Sequence, residues 1–336
     1  MTNGLIRRRL ARIQCASMKL DVPLDQPLAD EIYAFWGWIF ESEHDFPPDV
    51  FTGSEREFVR YRIYVERIDG RIASTCNLIW SDSDPRVAGL GEVATHPEFR
   101  RRGLAGDVCA QALEDFRGAG GEAVYLGTNN PGALRVYHRL GWRRLAGTAI
   151  MAAASNGNAP EEFMADYFRA PGRVAMRPAD PAIRATIVPL LCTAHDWRVL
   201  DANMGMHSIR YEIQGSCNGL YRRCSDVTND ERGQWFVAAT EDGRAVGLSS
   251  ARLDDDGRCR VDGFAHWRFM DSMSDLLDAA VAWGRDRGAG SFAARLCVED
   301  EDKIRRFDDL GFRSGPPGDD FEIDGRTVAS VMYERA

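Results

Sequence analysis

Val93-Ala94-Thr95-His96-Pro97-Glu98-Phe99-Arg100-Arg101-Arg102-Gly103-Leu104-Ala105 reads as a strand that passes through a basic, glycine-containing turn into the start of a helix. Such a junction suits an anion. The first turn of a helix has backbone N–H groups with no internal partner, and the macrodipole adds partial positive charge there. Gly103 lets backbone and phosphate approach closely, Ala105 is small enough to lie under the same group, and the three arginines add charge and donors. Taken by itself the stretch also reads as a solvated helix start, so its neighbours have to decide.

On the C-terminal side, apolar residues at Leu104, Val108, Ala112, Leu113 and Phe116 predict a helix over 104–117, closed by the glycines of 118–121. A strand over 123–126 and a helix over 131–140, with Pro131 in its first turn, follow. On the N-terminal side, two β-rich runs over 61–80 flank Asp69-Gly70 and predict a hairpin. The polar stretch 81–86 then leads into a strand over 87–95. The order is hairpin, strand, basic turn, helix, strand, helix.

The second helix carries Asn130-Pro131-Gly132-Ala133-Leu134-Arg135-Val136-Tyr137-His138-Arg139-Leu140-Gly141-Trp142. With this element in place the sequence resembles the GNAT superfamily of N-acetyltransferases. The phosphate loop of that family, Gln/Arg-x-x-Gly-x-Gly/Ala, is matched by Arg100, Gly103 and Ala105; its later signature is matched by Asn130, Ala133, Tyr137, Gly141 and Trp142. The resemblance covers the N-terminal half, and the two motifs together are far more specific than either.

The resemblance implies acetyl-CoA as acyl donor and an acyl-CoA-dependent N-acyltransferase activity with no metal. The pantetheine arm would enter between splayed strands, here 87–95 and 123–128. The implied coenzyme contacts are Val93, Ala94, Thr95, Arg100, Arg101, Arg102, Gly103, Leu104, Ala105, Gly106, Asn130, Ala133 and Tyr137. A main-chain N–H near Val93 or Ala94 would polarise the thioester carbonyl. Tyr137 would protonate the departing thiolate, or else pack on the coenzyme without proton transfer, and Glu92 would take the proton of the amine if the strand register turns it into the site. Asn130 would bind pantetheine or cap the helix at Pro131. His96 and His138 read as surface or packing histidines.

Acceptor choice in the family rests on the segment before the first hairpin, here 32–58. Tyr33, Phe35, Trp36, Trp38, Phe40, Phe46 and Phe51 with Glu41, Glu43, His44 and Asp45 suit either a pocket for a cationic amine or an amphipathic helix with an acidic end. The expected reaction is acetyl transfer to the primary amine of a small molecule. A protein or peptide acceptor and a non-catalytic acetyl-CoA-binding regulatory role are the alternatives.

The 336 residues allow two domains. The architecture recurs after an unpatterned stretch: a strand over 174–177, a helix over 182–193, a hairpin over 235–253 around Asp242-Gly243, then helix 274–285, strand 291–297 and helix 303–310. The expected fold is therefore α/β (α+β), two tandem GNAT-like domains, each a mixed, mostly antiparallel sheet with splayed central strands flanked by helices. The expected division is 1–155 catalytic, 156–171 linker and 172–336 a degenerate copy. In that copy Phe307 replaces Tyr137, Asp300 replaces Asn130, and the turn His266-Trp267-Arg268-Phe269-Met270-Asp271 lacks glycine.

Composition narrows the partners. A hydrophobic fraction of 44%, a charged fraction of 28% and no apolar run of spanning length exclude a helical membrane protein, and no secretory signal is recognisable, so a cytoplasmic location is expected. Eight scattered cysteines without a C-x-x-C pair indicate neither a zinc cage nor a disulfide framework. The net charge of -9 opposes nucleic-acid binding. A monomer or homodimer fits equally.

Overall fold

The computed structural model describes residues 15–41, 46–215, 217 and 219–336. The chain begins with β1 (Cys15–Asp21), α1 (Gln26–Phe40), β2 (Arg60–Ile68), β3 (Arg71–Ser81) and β4 (Asp84–Thr95). Then come α2 (Leu104–Gly118), β5 (Ala123–Gly127), α3 (Pro131–Arg139), β6 (Arg143–Arg144) and β7 (Ile150–Ala154). These strands form one sheet in the order β1-β2-β3-β4-β5-β7-β6. All its neighbours run antiparallel except β4 and β5.

After α4 (Pro160–Arg169) come β8 (Val174–Pro178), α5 (Ile187–Leu191), β9 (Val199–Asp201), β10 (Met206–His207) and α6 (Gly219–Ser225). The chain continues through β11 (Gly233–Thr240), β12 (Ala245–Leu253), β13 (Arg258–Ala265), α7 (Ser272–Asp286), β14 (Ser291–Cys297) and α8 (Glu301–Asp309). It ends with β15 (Arg313–Pro317), β16 (Phe321–Ile323), β17 (Arg326–Val328) and β18 (Ser330–Arg335). The second sheet runs β8-β11-β12-β13-β14-β18-β15, strand for strand the order of the first. The architecture is two mixed seven-stranded sheets in tandem, each with helices on its faces.

Local chemistry explains the elements. Asp69 and Gly70 both take positive φ, as the tight β2–β3 turn requires, and the register runs on to Arg60↔Trp80. Period-two alternation sends Tyr64, Cys76, Leu78 and Leu90 to the face covered by α2 and α3. Ile63, Val65, Ile72 and Ile79 go to the other face, under α1. At the β5–β7 end that second face carries Val87, Tyr125, Ile150 and Ala152, which share one core with the second half of the chain.

Polar contacts reinforce the shared core. Tyr167 donates to Asp84 at 2.6 Å, Arg86 bridges Asp84 at 2.7 Å and Asp242 at 3.0 Å, and the Arg184 Nε donates to Glu55 at 2.8 Å. Buried Arg244 holds the end of α4 through the carbonyls of Tyr167, Ala170 and Pro171.

Three expectations change. The stretch 156–171 contains α4, whose Tyr167 and Phe168 lie in the shared core, so the connection is a packed helix rather than an unpatterned linker. The helix expected over 182–193 is a 3-10 turn (Pro181–Ile183) followed by the short α5, because Pro189 has no N–H to donate to the carbonyl of Ala185. β4 starts at Asp84, inside the expected loop; the buried Asp84 carboxylate is satisfied by Tyr167 and Arg86. Among the described residues, no helix is long and apolar enough to cross a membrane.

Candidate active site

β4 and β5 pair only through Val87↔Ala123, Ala88↔Val124 and Gly89↔Tyr125, so beyond Gly89 the two strands part and leave an opening in the middle of the first sheet. On one side of it β4 is bulged. Glu92 has φ 48° and the register against β3 shifts between Thr75 and Asn77. The Thr75 hydroxyl donates to the Glu92 carbonyl at 3.0 Å and accepts from the Trp36 indole at 2.8 Å, so a side chain on α1 holds the bulge in shape. Leu90 and Val93 both pack on the α2 side, which is why simple alternation cannot orient Glu92; that residue is half-buried.

The basic turn follows. Residues 97–99 form a 3-10 turn capped by His96, whose Nδ1 accepts from the Glu98 N–H at 3.2 Å. Arg101 (φ 63°) and Gly103 (φ 90°) then take left-handed conformations, and α2 begins at Leu104 with no side-chain cap. A Cβ on Gly103 would meet nothing nearer than Asp107 at 3.7 Å, so φ rather than space requires glycine here. Arg100 donates to the Thr95 carbonyl, Arg102 donates to the Glu98 carbonyl and lies over the Phe99 ring, and Arg101 is exposed. Two arginines thus brace the turn. Thr95, Leu104, Ala105 and Gly106 are half-buried around it, and Ala94 is buried under α1.

On the β5 side Asn130 caps α3: its Oδ1 accepts from the Gly132 and Ala133 N–H groups at 2.8 and 3.2 Å. Asn130→Ala is expected to cost about 1 kcal/mol, read as a lowered midpoint in urea unfolding. Tyr137, one turn beyond half-buried Ala133, is buried against Trp142 in the cluster that also holds Cys76 and Cys109. Burial raises its phenol well above the ordinary tyrosine range, so it keeps its proton.

The 32–58 segment is used mainly for packing. Trp36, Phe46 and Phe51 are core, Tyr33 and Phe35 are half-buried, and Trp38 (54% exposed) and Phe40 reach solvent, Trp38 against His96. Glu41 ends α1, while Glu43, His44 and Asp45 lie outside the described residues. Second-half residues meet the turn that leads into β7: Ala149 donates to the Gln214 carbonyl at 2.8 Å, and Gly147 lies against the Ile209 carbonyl. Sequence periodicity carries no signal for this contact.

The second sheet has the same splay, with β13 and β14 paired only from Arg258↔Ser291 to Arg260↔Ala293, but its own chain fills it. β9 occupies the opening. Asp300 accepts from the Arg198 and Val199 N–H groups, and Lys303 donates to the carbonyls of Val199 and Leu200 at 3.0 Å and pairs with Asp262 at 2.6 Å. Asp300 and Lys303 stand at the positions of Asn130 and Ala133, and Phe307 stands at that of Tyr137. The offset between the halves is one residue smaller after the bulge than before it, as the pairings Val87/Arg258 and the capping histidines His96/His266 show. β13 pairs with β12 in one unbroken register, so the bulge of β4 has no counterpart there.

Residues 28–142 match the model of the acetyltransferase (GNAT) family. The match lies within the first half of the chain and spans α1 to the residues just after α3. No curated protein matches the chain. Among solved structures it is similar to a nourseothricin acetyltransferase, with 19% identity over 32% of this chain and 66% of that one and a TM-score of 0.29. A ribosomal-protein-S5-alanine acetyltransferase from Vibrio fischeri shares 11% identity over 49% and 94%, at a TM-score of 0.39. A putative acetyltransferase from Salmonella typhimurium, solved with acetyl-CoA, shares 17% over 48% and 92%, at 0.37.

Proposed function

We propose that residues 1–155 transfer an acetyl group from acetyl-CoA to the primary amine of a small molecule and that 172–336 form a degenerate companion domain. The observation that carries this reading is the β4–β5 opening, bulged on one side and continued by an uncapped helix start with Gly103 at positive φ. The residues present fit the coenzyme: free first-turn N–H groups suit its pyrophosphate, and strand edges suit its amide-bearing arm.

In this reading the turn Arg100–Gly106 holds the pyrophosphate and Ala133 lies beside the arm. The N–H groups near Val93 and Ala94 face the negative charge developing on the thioester carbonyl oxygen. The amine nitrogen bonds to the carbonyl carbon as the C–S bond breaks. Glu92 accepts a proton from the amine and Tyr137 gives one to the thiolate. The Tyr137 phenol keeps its proton at neutral pH, the state a donor needs, and burial makes it a weaker acid than a free tyrosine.

Thiol release from acetyl-CoA, followed over a panel of primary amines and peptides, tests the reading. Turnover with a small amine, reduced about 10²-fold in kcat by Tyr137→Phe with coenzyme affinity retained, is the expected result. Turnover confined to peptides, or none with any acceptor, overturns it.

A further inference from the structure

The face of the first sheet that bears Val87 and Tyr125 is covered by the second half of the chain. On the same face of the second sheet the matching residues have changed character. Matching the parallel pairings places Arg258 where Val87 stands, Arg260 where Gly89 stands and Arg295 where Gly127 stands. Arg258 and Arg260, two apart on β13, project to one side, and Arg295 comes from the adjacent β14 just past its last pairing with β13.

These three arginines line a cavity of about 430 Å³, which Asn203 and Gly318 also border. The carboxylates around these guanidiniums leave part of their hydrogen-bonding capacity unused. The Arg258 Nε is buried without a hydrogen-bond partner, and that side chain's carboxylates, Asp256 and Glu334, are each 3.5 Å away. Arg295 lies over the Phe321 ring and donates to the Asp319 carbonyl; among the described residues it has no carboxylate in salt-bridge range. Burial and the neighbouring charge of Arg260 depress its guanidinium, while Asp319 and Asp262 oppose that shift. Three carboxylates line the cavity: Asp262 is taken by Lys303, Glu334 by Arg258, and Asp319 has no cation in salt-bridge range among the described residues and partly offsets the charge of Arg295. Arg260 is tied at one nitrogen to Asp254.

We propose that this cavity binds a small oxyanion, a carboxylate or a phosphoryl group, held by Arg258, Arg260 and Arg295. Planar guanidinium forks converging from two strands match the paired oxygens of either group. An anion would relieve the mutual repulsion of Arg260 and Arg295 and give the Arg258 Nε an acceptor.

Calorimetric titration of inorganic phosphate and, separately, malonate into the full chain tests the site. The titrations use the Gly103→Glu background, so that the first-domain turn takes up no anion. A saturable isotherm, weakened about tenfold or more by Arg295→Gln, is expected. Arg260→Gln should weaken it as well. Binding of phosphate but not malonate supports a phosphoryl ligand, and the reverse supports a carboxylate. Arg295→Gln in the otherwise unchanged chain should retain its acetyl-CoA affinity, which guards against misfolding. The proposal is overturned if neither anion binds, or if binding survives both arginine substitutions. Phosphate binding that disappears with Gly103→Glu alone overturns it too, without touching the reading of the first domain.

Discussion

Lys303→Met is expected to destabilise the folded chain by about 3–5 kcal/mol, the usual cost of stranding a buried charge. Lys303 and Asp262 are both fully buried, and the ammonium also satisfies the Val199 and Leu200 carbonyls in the slot between β13 and β14. Methionine fills the volume and removes the charge and all three donors. Burial raises the carboxyls of both Asp201 and Asp262, and Lys303 opposes the rise at each. A carboxyl with a raised folded pKa contributes stability below its unfolded value and loses it as pH climbs through the folded one. Without Lys303 the rise is larger, so the penalty should grow with pH. Urea unfolding of both proteins at mildly acidic and mildly alkaline pH measures this; a loss under about 1 kcal/mol at both would mean that Lys303 does not support the slot.

Gly103→Glu should abolish measurable binding of acetyl-CoA, a loss of about 100-fold or more in affinity. Two effects combine: a β-carbon at φ 90° strains the turn, and the carboxylate places a fixed negative charge at the uncapped start of α2. Gly103→Ala separates them, because it adds the strain without the charge and should bind with intermediate affinity. Calorimetry on the wild type should give one site per chain, because β9 fills the corresponding slot of the second sheet. Two sites, or binding that survives Gly103→Glu, would mean that β9 yields to the coenzyme.

Much of this arrangement is written locally. The hairpin at Asp69-Gly70, the glycine-ended basic turn, α2, and the Asn130 cap of α3 each follow from a handful of neighbouring residues, because turn conformation, capping and amphipathic period are short-range properties. The repeated strand order is legible for the same reason, since each half repeats the spacing of its apolar runs. The losses at Phe307, Asp300 and the glycine-free turn are legible as single residues.

What needed the folded chain lies in long-range pairing. The Trp36–Thr75–Glu92 chain joins residues from three elements, and the bulge it supports is a property of the β3–β4 register. Aromatic composition over 32–58 cannot separate a ligand pocket from a core, because both need the same side chains; burial of Trp36, Phe46 and Phe51 decides for the core. Asp300 and Lys303 read as ordinary charged helix residues until β9 is seen between β13 and β14. The arginines of the second sheet likewise converge on one cavity only when two strands distant in sequence lie side by side. Sequence order and residue type thus determine the elements and the chemistry of the first motif, since those depend on neighbours within a turn or two. Tertiary packing decides which of two similar openings stays free for a ligand, since that depends on which distant segment can satisfy the exposed backbone.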